Sequence, residues 1–374
     1  MTGLKTVTNK IGLKTSLKSL EIMAPGRTCL FGDHQDYLGL PVIACAINRY
    51  ISLNAVENST SILRIQLPDI NKERIIDIHE KFILLDKRDY FKSSLKVLRR
   101  YGCIPDKGYD ITIKADLPIN AGLSSSSALI VAWIRFLLQA FGSNHKITAE
   151  LIAKLAYEAE VLEHEEPGGF MDQYTISLGN VIFLETGDKV SFTPLRNQLD
   201  GLIIGESGIK KETIGTLVDI KEKSLKAIEY VTSCNPKFDL KSAIIEEFES
   251  YKNHIPKELR PYFYAALKNH SITLKGKTEL KKDKLNMSYI GTLINEHHFV
   301  LKDILKITVP LIDSMIENAI EAGAYGAKIV GSGGGGSIVA LVPKEKEDKV
   351  ISALMRAGAK AAYNVKVDRG VRIK

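Results

Sequence analysis

Apolar and polar residues alternate most cleanly over residues 108–118, where Ile111, Ile113 and Ala115 take one side and Asp110, Thr112 and Lys114 the other. A period of two predicts a half-buried strand. The pattern then changes: PINAGLSSSSAL (118–129) is small and polar, and residues 128–141 are apolar on almost every side before Gly142. That predicts a core helix stopped by a glycine. A strand, a pliable loop and a buried helix in succession would aim unpaired N–H groups and the positive end of a helix dipole at one point, which suits an anion such as phosphate. Ser124, Ser125, Ser126 and Ser127 could cap the helix, hold phosphate oxygens or take a magnesium ion. A serine-rich helix start with no further role accounts equally well for these letters taken alone.

Strand-like segments recur at 51–56, 62–67, 181–184 and 202–208, and helical spacing at 90–101. A second helix is expected over 148–162, with Thr148 as its N-cap and Glu158 and Glu160 in its later turns. Pro167, Gly168 and Gly169 then break it just before Met171, Asp172 and Gln173. Further on, helices interrupted by Pro236, Pro256 and Pro261 precede helical segments beginning near 288 and 310. Gly276 to Thr278 looks like the tail of a P-loop, but Ser271 stands where its first glycine belongs. Gly331, Gly333 and Gly336 satisfy GxGxxG, yet a strand-like IVALV follows where a dinucleotide site needs a helix. A glycine-rich turn between two strands, open to close backbone approach, fits better.

The 374-residue chain is long for one core, so two domains are expected. Residues 1–20 carry Lys5, Lys10, Lys14 and Lys18 and no acid, as in a loose basic leader. The net charge of +7 comes from dispersed lysines without an aromatic-basic cluster, which argues against a nucleic-acid partner and for a surface that attracts small phosphorylated molecules. No apolar run approaches the roughly 20 residues of a membrane span, and the N-terminus lacks a signal-peptide core. A cytoplasmic enzyme with no membrane partner follows as the expectation. Cys29, Cys45, Cys103 and Cys234 are scattered without metal spacing, as reduced thiols would be. Two polar clusters stand out as candidate chemistry: Asp33, His34, Gln35, Asp36 and Tyr37 behind Arg27, and Asp172 among small and apolar neighbours, where a buried carboxylate needs a reason.

In order along the chain, APGR…GDHQDY, PINAGLSSSSA and GAYGAKIVGSGGGG resemble the three motifs of the GHMP kinases, the superfamily of galactokinase, homoserine kinase, mevalonate kinase and phosphomevalonate kinase. Residues 33–37 resemble the galactokinase family's EHTDY and residues 169–173 its GIMDQ; the likeness continues through SGIKKE (207–212) and LINEHH (293–298). The resemblance implies a two-domain α+β GHMP kinase fold, with an N-terminal α+β nucleotide-binding domain over 21–198 and a C-terminal ferredoxin-like α/β sandwich over 199–374. It implies an ATP- and Mg2+-dependent sugar kinase, a monomer, acting on the anomeric hydroxyl of a hexose, with galactose the first choice. Carried onto this sequence, Gly122, Leu123, Ser124, Ser125 and Ser126 would wrap the ATP phosphates, and Ser126 and Glu160 would hold magnesium. Asp172 would be the base and Arg27 its charged partner. Asp33, His34, Asp36 and Gly169 would bind the sugar, and Gly333, Gly334, Gly335 and Gly336 would brace the site from the second domain.

Such chemistry suits these residue types: a carboxylate set against a hydroxyl can take its proton as the bond to phosphorus forms, and an adjacent arginine keeps that carboxylate ionised. The likeness thins where a sugar would be read. Asp33 is one methylene shorter than the family's glutamate, alignment of SGIKKET puts Val218 in place of a sugar-binding tyrosine, and GSGGGG lacks the phenylalanine common in galactokinases. Fucose, a heptose or a uronic acid are the other acceptors the resemblance allows, and a catalytically silent sugar sensor is the other class.

Overall fold

The computed structural model describes residues 19–187, 189–195, 199–210 and 213–374; most of the expected leader, and Lys211 and Glu212 of the SGIKKE stretch, lie outside them. In chain order the first part comprises β1 (Ser19–Phe31), β2 (Val42–Asn58), β3 (Ile62–Leu67), β4 (Lys72–Asp77), α1 (Tyr90–Arg99), β5 (Gly108–Ala115), α2 (Ser125–Phe141), α3 (Ala149–Tyr157), α4 (Met171–Leu178), β6 (Val181–Thr186) and β7 (Val190–Pro194). The remainder is β8 (Leu202–Glu206), α5 (Thr213–Cys234), α6 (Glu247–Tyr251), α7 (Arg260–Leu280), α8 (Met287–Phe299), α9 (Pro310–Ala322), β9 (Gly326–Val330), β10 (Ser337–Leu341), α10 (Glu347–Arg356), β11 (Ala361–Val365) and β12 (Arg372–Ile373).

One sheet runs β12-β1-β2-β5-β3-β4, with β6 on β2 and β7 on β6; within it only β3 and β5 are parallel. Helix α2 packs against β1 and β2 and buries Trp133, Phe136 and Leu137 completely. Its rings are fixed by edge-to-face contacts of Trp133 with Phe91 and Phe136 with Tyr109, and by the Trp133 indole N–H donating to the Phe91 carbonyl at 3.2 Å. The β1–β2 ladder shifts register between Pro25 and Gly26 and again between Cys29 and Phe31. Such irregularities re-aim side chains, and Arg27 lies between them.

The second sheet, β11-β8-β10-β9, is antiparallel throughout, with every residue of β8, β9 and β10 buried and α8, α9 and α10 packed on it. The chain thus has the mixed α+β architecture expected. The segment expected as the second domain, 199–374, sends its last residues back to the first sheet: β12 pairs with β1, Val367 bridges to Ile47, and the Asn180 N–H donates to the Asp368 carbonyl at 2.6 Å. Among the described residues no helix is long and apolar enough to cross a membrane. Cys29, Cys45 and Cys103 are buried free thiols, whereas Cys234 is exposed.

Candidate active site

A cavity of about 240 Å³, room for small polar ligands, opens where the β1–β2 connection, the loop into α2, the turn after α3, the start of α4 and the glycine turn after β9 meet. At its floor Arg27, buried, donates from Nε to Asp172 Oδ1 at 2.7 Å and from Nη1 to the Gly122 carbonyl at 2.6 Å. The Ser124 hydroxyl donates to the other Asp172 oxygen. Burial alone would lower the guanidinium's pKa; the Asp172 carboxylate more than offsets it and holds the pKa above its ordinary value. Asp172 itself, second residue of α4, keeps 28% of its side chain exposed. It is a carboxylate pinned at both oxygens and still within reach of a ligand.

Ser124 explains why the loop into α2 faces a ligand. It adopts the left-handed conformation (φ 60°) and its side chain caps no helix N–H, the hydroxyl being committed to Asp172. The first N–H groups of α2 therefore need partners, which an anion would supply. Gly122, Ser124, Ser125 and Ser126 line the cavity. The side chain of Leu123 is instead fully buried in the core, and its carbonyl accepts the Arg27 N–H at 3.1 Å.

Glu160 sits on a π-helical turn, 158–162, where α3 widens instead of continuing as the expected helix; such turns often re-aim functional side chains. The carboxyl is buried, and Gln173 Nε2 donates to its Oε2 at 2.7 Å. Burial pushes its pKa up to about 7 against the pull of Gln173, Ser127 and Ser126. Among the described residues no group of three or more His, Cys, Asp or Glu could hold a metal. A magnesium ion needs fewer protein donors, and a buried carboxylate beside hydroxyls is the hard oxygen set it takes, so Glu160 and Ser126 fit as its ligands beside a nucleotide.

The polar cluster after β1 divides in two. His34, in the left-handed region at φ 64°, has Nδ1 3.1 Å from the Tyr37 hydroxyl and lines the cavity. Asp36 accepts the N–H of Tyr37 at 3.0 Å and of Met171 at 3.3 Å, and Gly169 passes so close that a Cβ there would stand 2.1 Å from Asp36 Oδ2. Asp33 also lines the cavity, but both its oxygens are engaged by the second sheet, through Lys328 and the Gly331 N–H. Burial, then the nearby Asp172, pushes the Asp36 carboxyl up to about 6. A folded-state pKa above the unfolded one means stability that is present below about pH 4 and lost as pH rises through 6, about 3 kcal/mol at most. The melting temperature of the native protein should therefore fall relative to that of Asp36→Asn between pH 4 and pH 7; parallel curves in a thermal-melt series would show that Asp36 ionises without cost.

Gly333, Gly334, Gly335 and Gly336 all have positive φ and stand behind the cavity rather than on its wall: Gly334 donates to the Ile307 carbonyl at 2.8 Å and Gly336 to that of Ile209 at 3.0 Å. The wall residues are Gly331 and Ser332. Among the described side chains of α5, Leu217 lines the cavity and Val218 does not; one step along a helix turns a side chain by about 100°. Sequence reasoning passed over Asn120, Arg88, Tyr90 and Glu166, which line the cavity, with Arg88 Nε 2.8 Å from Glu166. Arg88 and Tyr90 bracket the start of α1, a place that carries no motif.

Comparison with known proteins places three families on the chain: GHMP kinases N terminal domain at residues 89–180, GHMP kinases C terminal at 279–360, and the galactokinase galactose-binding signature at 18–54. A Clostridium perfringens protein named galactokinase is 30% identical over 350 residues, 89% of this chain and 88% of that one. A Thermococcus sibiricus mevalonate kinase is 27% identical over 361 residues, 94% of this chain and 97% of the relative. Among solved structures, Lactococcus lactis galactokinase complexed with galactose superposes with a TM-score of 0.85 at 22% identity, covering 96% of each chain.

Proposed function

This chain belongs to the GHMP kinases, and from that premise we propose that it transfers the γ-phosphoryl group of ATP to the anomeric hydroxyl of galactose. The observation that carries the reading is the Asp172 carboxylate held between Arg27 and Ser124 at the cavity floor, beside the start of α2. In this reading Asp172 accepts the proton of the sugar hydroxyl as its oxygen attacks phosphorus, and Arg27 holds the carboxylate in place through the 2.7 Å contact from Nε. Gly122, Ser124, Ser125 and Ser126 hold the phosphates through backbone N–H groups and hydroxyls. His34, Asp36 and the backbone at Gly169 face the sugar. The same reading takes the protein as a cytoplasmic monomer without a nucleic-acid or membrane partner.

A neutral polyol is favoured over an acceptor that carries a carboxylate, as mevalonate does. Asp33, Asp36 and Asp172 all line the cavity, and the arginine nearest them is already committed to Asp172 and Gly122. An anionic acceptor would meet three carboxyl groups in a desolvated place. An ATP-consumption assay over galactose, fucose, heptoses, uronic acids and mevalonate tests this: turnover on galactose above the others is expected. Preference for mevalonate or a uronic acid would replace the reading, and ATP binding with no turnover on any acceptor would favour a sensor.

Magnesium, when bound, would supply positive charge that offsets that of the phosphates. Glu160 and Ser126 are the residues that would hold it. Replacing Glu160 by Gln keeps the Gln173 contact possible and removes the charge. The Mg2+ concentration for half-maximal rate should rise roughly tenfold or more, and weaker Mn2+ binding by the nucleotide complex should accompany it. An unchanged metal requirement would make Glu160 a structural partner of Gln173 only.

A further inference from the structure

Lys328, in the middle of β9, is fully buried, and a buried ammonium is costly unless it is paired and hydrogen-bonded. Its Nζ donates to Asp33 Oδ2 at 2.6 Å and to the Cys29 carbonyl at 3.0 Å. The remaining Asp33 oxygen, Oδ1, accepts the Gly331 N–H at 2.9 Å. Burial opposes ionisation of Asp33, but Lys328 outweighs it and holds the carboxyl well below the usual range. One side chain of the β1–β2 connection is thus gripped at both oxygens by the second sheet.

What each partner is attached to gives the grip a consequence. Asp33 directly precedes His34 and lies in the same short connection as Asp36 and Tyr37, and Gly331 directly precedes Ser332; all of them line the cavity. A contact between apolar side chains at this junction would tolerate slip, whereas charged hydrogen bonds with fixed directions do not. The wall that faces the sugar is in this way referenced to the glycine turn of the other sheet. We propose that Asp33 and Lys328 are positioning residues: the pair fixes the separation of the two walls at the acceptor end of the cavity, and Lys328 sets acceptor affinity without touching either substrate. Asp33 thereby acts through the placement of His34 and Asp36 rather than as a hydroxyl ligand of its own. The inference rests on the proposed function only for which end of the cavity takes the acceptor.

The test compares Lys328→Arg and the neutral pair Asp33→Asn with Lys328→Met against wild type, reading KM for acceptor, KM for ATP, kcat and melting temperature. The neutral pair avoids leaving one buried charge alone. It is expected to fold, to raise the acceptor KM about tenfold, the scale of a displacement well under 1 Å, and to leave the ATP KM within about twofold. Lys328→Arg, which keeps the charge, should recover part of the acceptor affinity. A folded neutral pair with an unchanged acceptor KM, or with both KM values raised by the same factor, overturns the proposal. If the neutral pair does not fold, Lys328→Arg decides: a rise in acceptor KM alone supports the inference and unchanged values refute it. Wild-type turnover over the acceptor panel tests the function separately, because the ratio of variant to wild type is taken on whichever alcohol the wild type accepts.

Discussion

Asp172→Asn should lower kcat by roughly 100-fold to 10,000-fold while ATP affinity stays within about threefold, because a positioned base contributes on that scale. The substitution is nearly isosteric. Its amide oxygen can still accept from Arg27 Nε, now 2.7 Å from Oδ1, and the Ser124 hydroxyl can turn to accept from the new amide N–H. The floor of the cavity and the loop that would carry the phosphates therefore keep their shape, and only the group that takes the proton is lost. Arg27 would keep its contacts to the amide oxygen and to Gly122 but lose the opposite charge beside it in a buried place, so a modest loss of melting temperature should accompany the loss of rate. Steady-state kcat at saturating acceptor and ATP, with nucleotide affinity measured by calorimetry, makes the comparison. Retention of more than about a tenth of the activity, outside the range for a lost base, would take proton abstraction away from Asp172.

What could be read from the chain beforehand was what local periodicity encodes. Strand β5, helix α2 with its Gly142 stop, the Thr148 cap that accepts the Leu151 N–H at 3.1 Å, and the glycine turn between β9 and β10 all stand where the pattern put them. β2 begins nine residues before the strand expected at 51, since residues 42–47 are buried on both sides and do not alternate. The helix α4 went unread because Gly168, Gly169 and the mixed residues after them carry no clear period; the π turn that presents Glu160 has no sequence signature at all. The site needed ordered motifs as well as letters, and even these left its register loose. Leu217, one residue before the position that alignment of SGIKKET picked out, lines the cavity. The Asp33–Lys328 pair joins residues 295 positions apart, beyond anything spacing can suggest.

Gly169→Ala should reduce kcat/KM for the acceptor by about 100-fold, with a much smaller effect from the neighbouring Gly168→Ala. The contrast is steric. A Cβ on Gly169 would lie 2.1 Å from Asp36 Oδ2, 2.3 Å from its Cγ and 2.8 Å from its Oδ1, whereas a Cβ on Gly168 meets only Val161 Cγ2 at 3.7 Å, an ordinary contact. Neither glycine has a positive φ, so backbone strain does not separate them. Asp36 has little freedom to retreat, being buried and accepting the N–H groups of Tyr37 and Met171. If the carboxyl moves, those N–H groups lose their acceptor, at roughly 1–3 kcal/mol for each one left unsatisfied. If the backbone moves instead, the segment at Gly169 carries Met171 and Asp172 with it, and a displacement on the order of 1 Å at a reacting group costs about 100-fold in rate. Both routes converge on the acceptor end of the cavity and spare the phosphate loop. The loss should therefore fall on acceptor kcat/KM, with ATP KM nearly unchanged and the melting temperature lowered by only a few degrees. Equal, small effects of the two alanines would mean that the chain at Gly169 yields freely and that its close approach to Asp36 has no part in holding the sugar.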